Sequence, residues 1–226
     1  MTETLRLTAA DGHELGAYLA RPAGTPRGGI VVLQEIFGVN PHIRGVCDKL
    51  AEAGYLALAP ALFDRLKPDF ESGYSPEEIQ AALGYMKELD WEKLVIDTRA
   101  AFDRLSQDVD TISVVGFCLG GSLAFDVATR WDDVASAVGY YGGRIAGFAD
   151  NAPKCPVLLH YGETDKSIPL DNVEEVRSKR PEVGIHLYPA GHGFNRGEPG
   201  TPDGEQAAIA WARTLDFLKV AHPAPA

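Results

Sequence analysis

The chain is poor in cysteine. Three occur in 226 residues, Cys47, Cys118 and Cys155, an odd number at wide spacing with no C-x-x-C pair. That pattern suggests neither a zinc site nor a redox dithiol, and no metal is expected. Long apolar runs are absent as well; none approaches the ~20 residues a membrane span needs. Lysine and arginine never cluster beyond a pair, and the net charge is −11. Both facts argue against nucleic acid or an anionic membrane surface as partner. The start, Met1-Thr2-Glu3-Thr4-Leu5, has neither the basic opening nor the apolar stretch of a secretion signal, so the expected location is the cytoplasm. No internal repeat, low-complexity tract or dividing linker occurs. One α/β domain over residues 1–226 is expected, with the tail 222–226 frayed.

What the chain does have is an ordinary soluble composition, 45% hydrophobic and 23% charged, at a length that buries a large core. Strand patterns cover 13–20, after an Asp11-Gly12 turn, and 29–34, a continuous apolar run of the kind buried on both faces. Ile43, Val46, Cys47, Leu50 and Ala51 recur at helical spacing. A strand over 55–59 stops at Pro60, and a Pro-, Asp- and Gly-rich loop fills 60–75. Ser75-Pro76-Glu77-Glu78 opens a helix, with serine at the N-cap and proline at N1. A second helix runs over 91–105. Strands at 111–117, 134–140, 157–161 and 184–188 follow, interleaved with helices over 119–130 and 172–180. Asp171 serves as the expected N-cap of the latter. A last helix carries Trp211, Leu215 and Leu218 on one face. This alternation predicts a mostly parallel sheet. Cys47 and Cys155 read as small buried hydrophobes.

The most informative segment is Gly116-Phe117-Cys118-Leu119-Gly120-Gly121, between the apolar run Ile112-Ser113-Val114-Val115 and a helix-forming run. It is G-x-C-x-G on a strand-turn-helix, a nucleophile elbow with sulfur in place of oxygen. A thiol nucleophile needs a base, and the base an orienting group. Downstream, strand 157–161 runs into Gly162-Glu163-Thr164-Asp165, and strand 184–188 into Pro189-Ala190-Gly191-His192-Gly193. Asp165 and His192 thus follow Cys118 in the order nucleophile, acid, histidine, each at the C-terminal end of a strand, where ligands collect in open α/β sheets. Glu163 is the rival acid. His13, His42, His160, His186 and His222 lack such a setting.

Gln34-Glu35-Ile36-Phe37-Gly38-Val39-Asn40 follows a central strand. In this arrangement that loop supplies one backbone N–H of an oxyanion hole, here Ile36, and the residue after the nucleophile, Leu119, supplies the other. A carboxylate entering such a site is chemically odd, because it repels a thiolate. Glu35 either pairs with a nearby arginine or holds the thiol protonated until substrate arrives.

These segments, with Val138-Gly139-Tyr140-Tyr141-Gly142, Ala190-Gly191-His192-Gly193-Phe194 and Arg213-Thr214-Leu215-Asp216-Phe217-Leu218, resemble the dienelactone hydrolase (carboxymethylenebutenolidase) family over nearly the whole chain and in matching order. The resemblance implies an α/β-hydrolase fold, a mostly parallel central sheet flanked by helices on both faces, a monomer, and no cofactor. It implies a Cys118–His192–Asp165 triad, Glu35 as the partner holding Cys118 at rest, and Arg196 binding a substrate carboxylate. Phe37 and Tyr140, inside the shared motifs, are further substrate-binding candidates. One departure stands out. Well-known members carry a second carboxylate-binding arginine in the helix corresponding to about 76–89, where this chain has Ile79, Leu83 and Met86; no arginine occurs between Arg65 and Arg99. Arg65 is the candidate replacement. The expected activity is cleavage of a small enol lactone or activated ester through a cysteine acyl-enzyme. The alternatives are an esterase or thioesterase for another small carboxylated ester, or a non-catalytic thiol sensor on the same fold.

Overall fold

A computed structural model describes residues 1–223. The chain divides into two compact units, Met1–Ile112 and a second from Ser113 onward.

The first unit holds β1 (Thr2–Thr8), β2 (Glu14–Ala20), β3 (Gly29–Leu33), α1 (Pro41–Glu52), β4 (Leu56–Pro60), α2 (Pro76–Glu88) and α3 (Trp91–Leu105). Its strands lie in the order β1-β2-β4-β3. The β1–β2 hairpin and the β2–β4 pair are antiparallel, and β3 and β4 are parallel. Every residue of β3 and β4 is buried, which is why both read as unbroken apolar runs. Asn40 caps α1 by accepting from Ile43 N–H at 3.2 Å, and the helix turns Ile43, Val46, Cys47 and Leu50 inward. The predicted start of α2 is present, with Ser75 and Glu78 forming a reciprocal capping box. β1 was not expected: Leu7 is its one buried residue, so it carries little of the pattern that marks a strand.

The second unit carries β5 (Ile112–Phe117), α4 (Leu119–Arg130), β6 (Ala137–Tyr140), the short α5 (Ile145–Phe148), β7 (Val157–Gly162), α6 (Leu170–Lys179), β8 (Gly184–Tyr188), a 3₁₀ turn (Phe194–Arg196) and α7 (Pro202–Ala221). β5, β6, β7 and β8 pair in sequence order, all parallel. Phe117, Tyr140, His160 and His186 sit in one cross-strand row. The segments after β5, β7 and β8 therefore leave the sheet at one edge, and these are the segments that carry Cys118, Asp165 and His192.

Four expectations need correction here. β6 begins only at Ala137. Asp171 lies in the first turn of α6, whose N-cap position is Pro169. The buried line of α7 is Gly204, Ala210, Thr214 and Leu218, with Trp211 and Leu215 half-buried beside it. His222 is not in a frayed tail: α7 delivers it to a fully buried position where Nε2 hydrogen-bonds Ser113 Oγ at 2.8 Å, and that hydroxyl in turn pairs with Ser136 Oγ at 2.7 Å. Residues 224–226 of the expected tail lie outside the described residues.

Candidate active site

The turn from β5 into α4 is as tight as its glycines suggest. Cys118 has φ 53° and ψ −109°, a left-handed backbone that costs a non-glycine residue about 1–3 kcal/mol. A Cβ on Gly116 would stand 1.9 Å from Gly120 O, so only glycine permits this close a return of the chain. The strained residue is held on both sides. Cys118 N–H donates to Tyr140 C=O at 2.9 Å, and Cys118 C=O accepts from Ser122 N–H at 3.1 Å and Ser122 Oγ at 3.3 Å. The thiol is thereby aimed outward from the start of α4.

Two further loops meet it. Glu163 N–H donates to Tyr188 C=O at 2.7 Å, and Thr164 N–H donates to Ala190 C=O at 3.1 Å, lacing the loop after β7 to the loop after β8. This brings His192 Nδ1 to 2.7 Å from Asp165 Oδ2 and His192 Nε2 to 3.3 Å from Cys118 Sγ. Asp165 Oδ1 accepts from Ser167 N–H at 2.7 Å, so both carboxylate oxygens are engaged. Glu163, the rival acid, is exposed. The imidazole edge keeps contact with solvent, with 29% of the side chain exposed, whereas the Asp165 side chain is 1% exposed. Burial of His192 disfavours its charged form, but hydrogen bonds to Asp165 and Cys118, with the charges behind them, outweigh burial and raise its pKa to about 10. That shift favours a protonated ring 3.3 Å from the sulfur, an arrangement chemically able to support nucleophilic attack followed by proton transfer.

The other residues named from the sequence fall out differently. Leu119 is the first residue of α4 and is buried. Arg196 ends the 3₁₀ turn, half-buried, with Nε donating to Gly193 C=O at 3.2 Å. Glu35, Ile36 and Phe37 belong to the first unit and are buried there, Glu35 to 1% exposure. Their segment is tied to the loop before α2. Gln34 Oε1 accepts from Leu62 N–H, Phe37 C=O accepts from Ser72 N–H, and the Phe37 ring packs edge-on against Tyr74 at 4.8 Å.

Arg65 does not take the place expected of it. Its guanidinium grips the buried Asp97 with two hydrogen bonds of 2.7 and 2.8 Å and reaches Asp11 at 3.0 Å, a bidentate pairing that commits the charge to the fold. Tyr140 is likewise redirected. Its side chain is fully buried, stacked on Phe117, with its hydroxyl on Thr214 Oγ1 at 2.6 Å, so it supplies the elbow with a carbonyl and the core with a ring. Sequence reading missed Tyr141, whose backbone also has positive φ (39°) and whose ring lies 5.0 Å from the His192 ring. It also missed the buried hydrogen bonds of His160. The one available signal was a histidine inside an otherwise apolar strand. Of the remaining cysteines, Cys47 is fully buried with its thiol pushed up by that burial, and half-buried Cys155 is pushed up to about 11 for the same reason.

A parallel α/β sheet with a nucleophile elbow at the end of a strand, and acid and histidine on later loops, defines the α/β-hydrolase fold. The comparisons agree. A candidate dienelactone hydrolase from Klebsiella pneumoniae superposes with a TM-score of 0.83 at 28% identity, covering 96% of this chain and 98% of that one. The Dienelactone hydrolase family profile matches residues 15–222. Among curated relatives, carboxymethylenebutenolidase 1 of Cupriavidus pinatubonensis is 33% identical, over 96% of this chain and 97% of its own length. The Pseudomonas putida carboxymethylenebutenolidase is 35% identical over 96% of each. The chain belongs to the dienelactone hydrolase family and is a hydrolase of that type. No helix among the described residues is long and apolar enough to cross a membrane.

Proposed function

We propose that this enzyme cleaves small enol lactones or activated carboxylic esters through a thioester on Cys118. The observation that carries the reading is the hydrogen-bonded line Cys118 Sγ–His192 Nε2–Nδ1–Asp165 Oδ2 at 3.3 and 2.7 Å. The Cys118 thiolate attacks the ester carbonyl and forms a C–S bond. The oxyanion is received by Leu119 N–H, with Ile36 N–H as the second donor expected from the sequence, an effect commonly worth about 3–4 kcal/mol. The tetrahedral intermediate expels the lactone oxygen as an enolate, which takes the imidazolium proton. His192, now neutral and oriented by Asp165, removes a proton from water as that water attacks the thioester; sulfur leaves and the resting pair is restored. Sulfur is itself readily expelled, so the design suits leaving groups as stable as an enolate and not amides. Arg196 is the proposed site for a substrate carboxylate.

A second reading, hydrolysis of a small ester carrying a single carboxylate, is favoured by the commitment of Arg65 to Asp97 and Asp11. A panel of lactones and esters bearing one or two carboxylates separates the readings by kcat/KM. The covalent step is tested by acid-quenching turnover of an aryl ester and digesting the protein. One acyl group is expected on the peptide containing Cys118, and acylation of a different side chain would overturn the mechanism. The role proposed for Glu35 rests on the family resemblance. Glu35→Gln is expected to alter the pH dependence of Cys118 alkylation, and an unchanged profile removes Glu35 from the mechanism.

A further inference from the structure

His160 sits outside the proposed triad, yet both of its ring nitrogens are hydrogen-bonded. It is fully buried. A buried polar ring is costly unless its nitrogens are satisfied, and both are: Nδ1 lies 2.8 Å from Tyr188 Oη and Nε2 lies 3.0 Å from Thr214 Oγ1. Thr214 Oγ1 is in turn 2.6 Å from Tyr140 Oη. The ring is also one rung of a ladder across four strands, with centroids 4.7 Å apart from Phe117 to Tyr140, 4.4 Å from Tyr140 to His160 and 5.9 Å from His160 to His186. The ladder ends at Phe117, the residue before the nucleophile.

The backbone shows what this arrangement holds. Tyr140 C=O is the acceptor for Cys118 N–H, and the next amide, Tyr141 N–H, returns to His160 C=O at 2.7 Å. The end of β6 is thus gripped at its backbone by His160 directly and at its side chain by His160 through Thr214. On one side of that end stands the strained Cys118; on the other, the Tyr141 ring against His192. We propose that His160 is a positioning residue for the reaction, fixing through Thr214 and Tyr140 the carbonyl that aims the Cys118 elbow at His192. Plain core packing at this position would be met by an aliphatic side chain. A ring bonded at both nitrogens instead sets the direction and spacing of three neighbouring elements, β6, β8 and α7. The inference rests on the proposed thiol chemistry, because the quantity His160 governs is the sulfur–imidazole geometry.

The two nitrogens can be separated. An asparagine amide reaches the place of Nδ1, toward Tyr188, and a glutamine amide reaches the place of Nε2, toward Thr214 and Tyr140. With ester as substrate and activity expressed per folded molecule, His160→Asn and Thr214→Val are each expected to lower kcat about tenfold with KM within about twofold. The rate of Cys118 alkylation by iodoacetamide is expected to fall in parallel. His160→Gln is expected to stay within about threefold of the parent. Unchanged kcat and alkylation in folded His160→Asn and Thr214→Val would overturn the inference, as would equal losses in the asparagine and glutamine variants. Should neither His160 variant fold, the near-isosteric Thr214→Val decides alone. Cys118→Ala, measured alongside, distinguishes the two failures. If it retains turnover, the thiol mechanism fails; if it is inactive while Thr214→Val and His160→Asn match the parent, only the role of His160 fails.

Discussion

Replacing Cys118 by alanine is expected to remove ester turnover, by about six orders of magnitude in kcat if the triad works as one unit, and to leave the thermal unfolding midpoint nearly where it was. The size of the loss follows from the chemistry. The proposed covalent route passes through sulfur, and alanine offers the same elbow backbone with no nucleophile. The small effect on stability follows from what is retained. Cys118 N–H and C=O make the hydrogen bonds to Tyr140 and Ser122 that hold the turn, and alanine keeps both. The φ of 53° is as strained for one residue as for the other. What disappears is the contact with His192 Nε2, on an imidazole edge that already meets solvent. Steady-state hydrolysis of an aryl ester and a lactone, with a melting curve on the same sample, measures both halves. Surviving lactone hydrolysis would remove Cys118 from the mechanism. Lost activity with a collapsed melting transition would make the residue a structural one.

The parts of this molecule that could be read from its sequence are those in which a local pattern has one physical solution. β3 and β4 are buried throughout, so each is an unbroken apolar run, and β5 is one but for Ser113. Gly116 must be glycine because Gly120 C=O occupies the space of a Cβ, and that constraint is printed in the hexapeptide around Cys118. Asp165 and His192 could be placed because parallel strands in sequence order deliver their following loops to one edge. Direction of a side chain was not legible in the same way. Tyr140 belongs to a segment near Cys118, but strand alternation turns its ring onto Phe117 and His160 and leaves only its carbonyl for the elbow. Arg65 was read by its charge, and its fate was decided by Asp97, thirty-two positions on and buried in α3. His222 looked like a tail because Pro-Ala repeats follow it; the serine that binds it, Ser113, lies 109 positions away and is itself paired with Ser136. In each case the deciding partner is distant in the chain, and composition near the residue carries no trace of it.

Asp165→Asn is expected to lower kcat by about three to four orders of magnitude and to move the proton of His192. Asp165 contributes both a 2.7 Å hydrogen bond to Nδ1 and a negative charge, and together with Cys118 these overcome the burial that would otherwise favour the neutral ring. Asparagine removes the charge and can present an N–H where Nδ1–H needs an acceptor, which favours the wrong tautomer. The titration of the His192 ring, followed by its C–H resonances in NMR, is therefore expected to fall from about 10 toward the ordinary 6.5. Stability must follow the same proton. The folded protein holds it more tightly than the unfolded chain, so the stabilisation is complete below about pH 6.5 and is lost as pH rises through about 10. Other groups of the unfolded chain also change charge at alkaline pH, so the informative quantity is the difference between parent and variant. Urea unfolding of both proteins at about pH 6 and about pH 9.5 should show the parent losing more stability than Asp165→Asn over that interval. Equal losses, or a His192 resonance that titrates unchanged in the variant, would mean that Asp165 touches the ring without setting its charge, and the imidazolium beside the sulfur would then need another source.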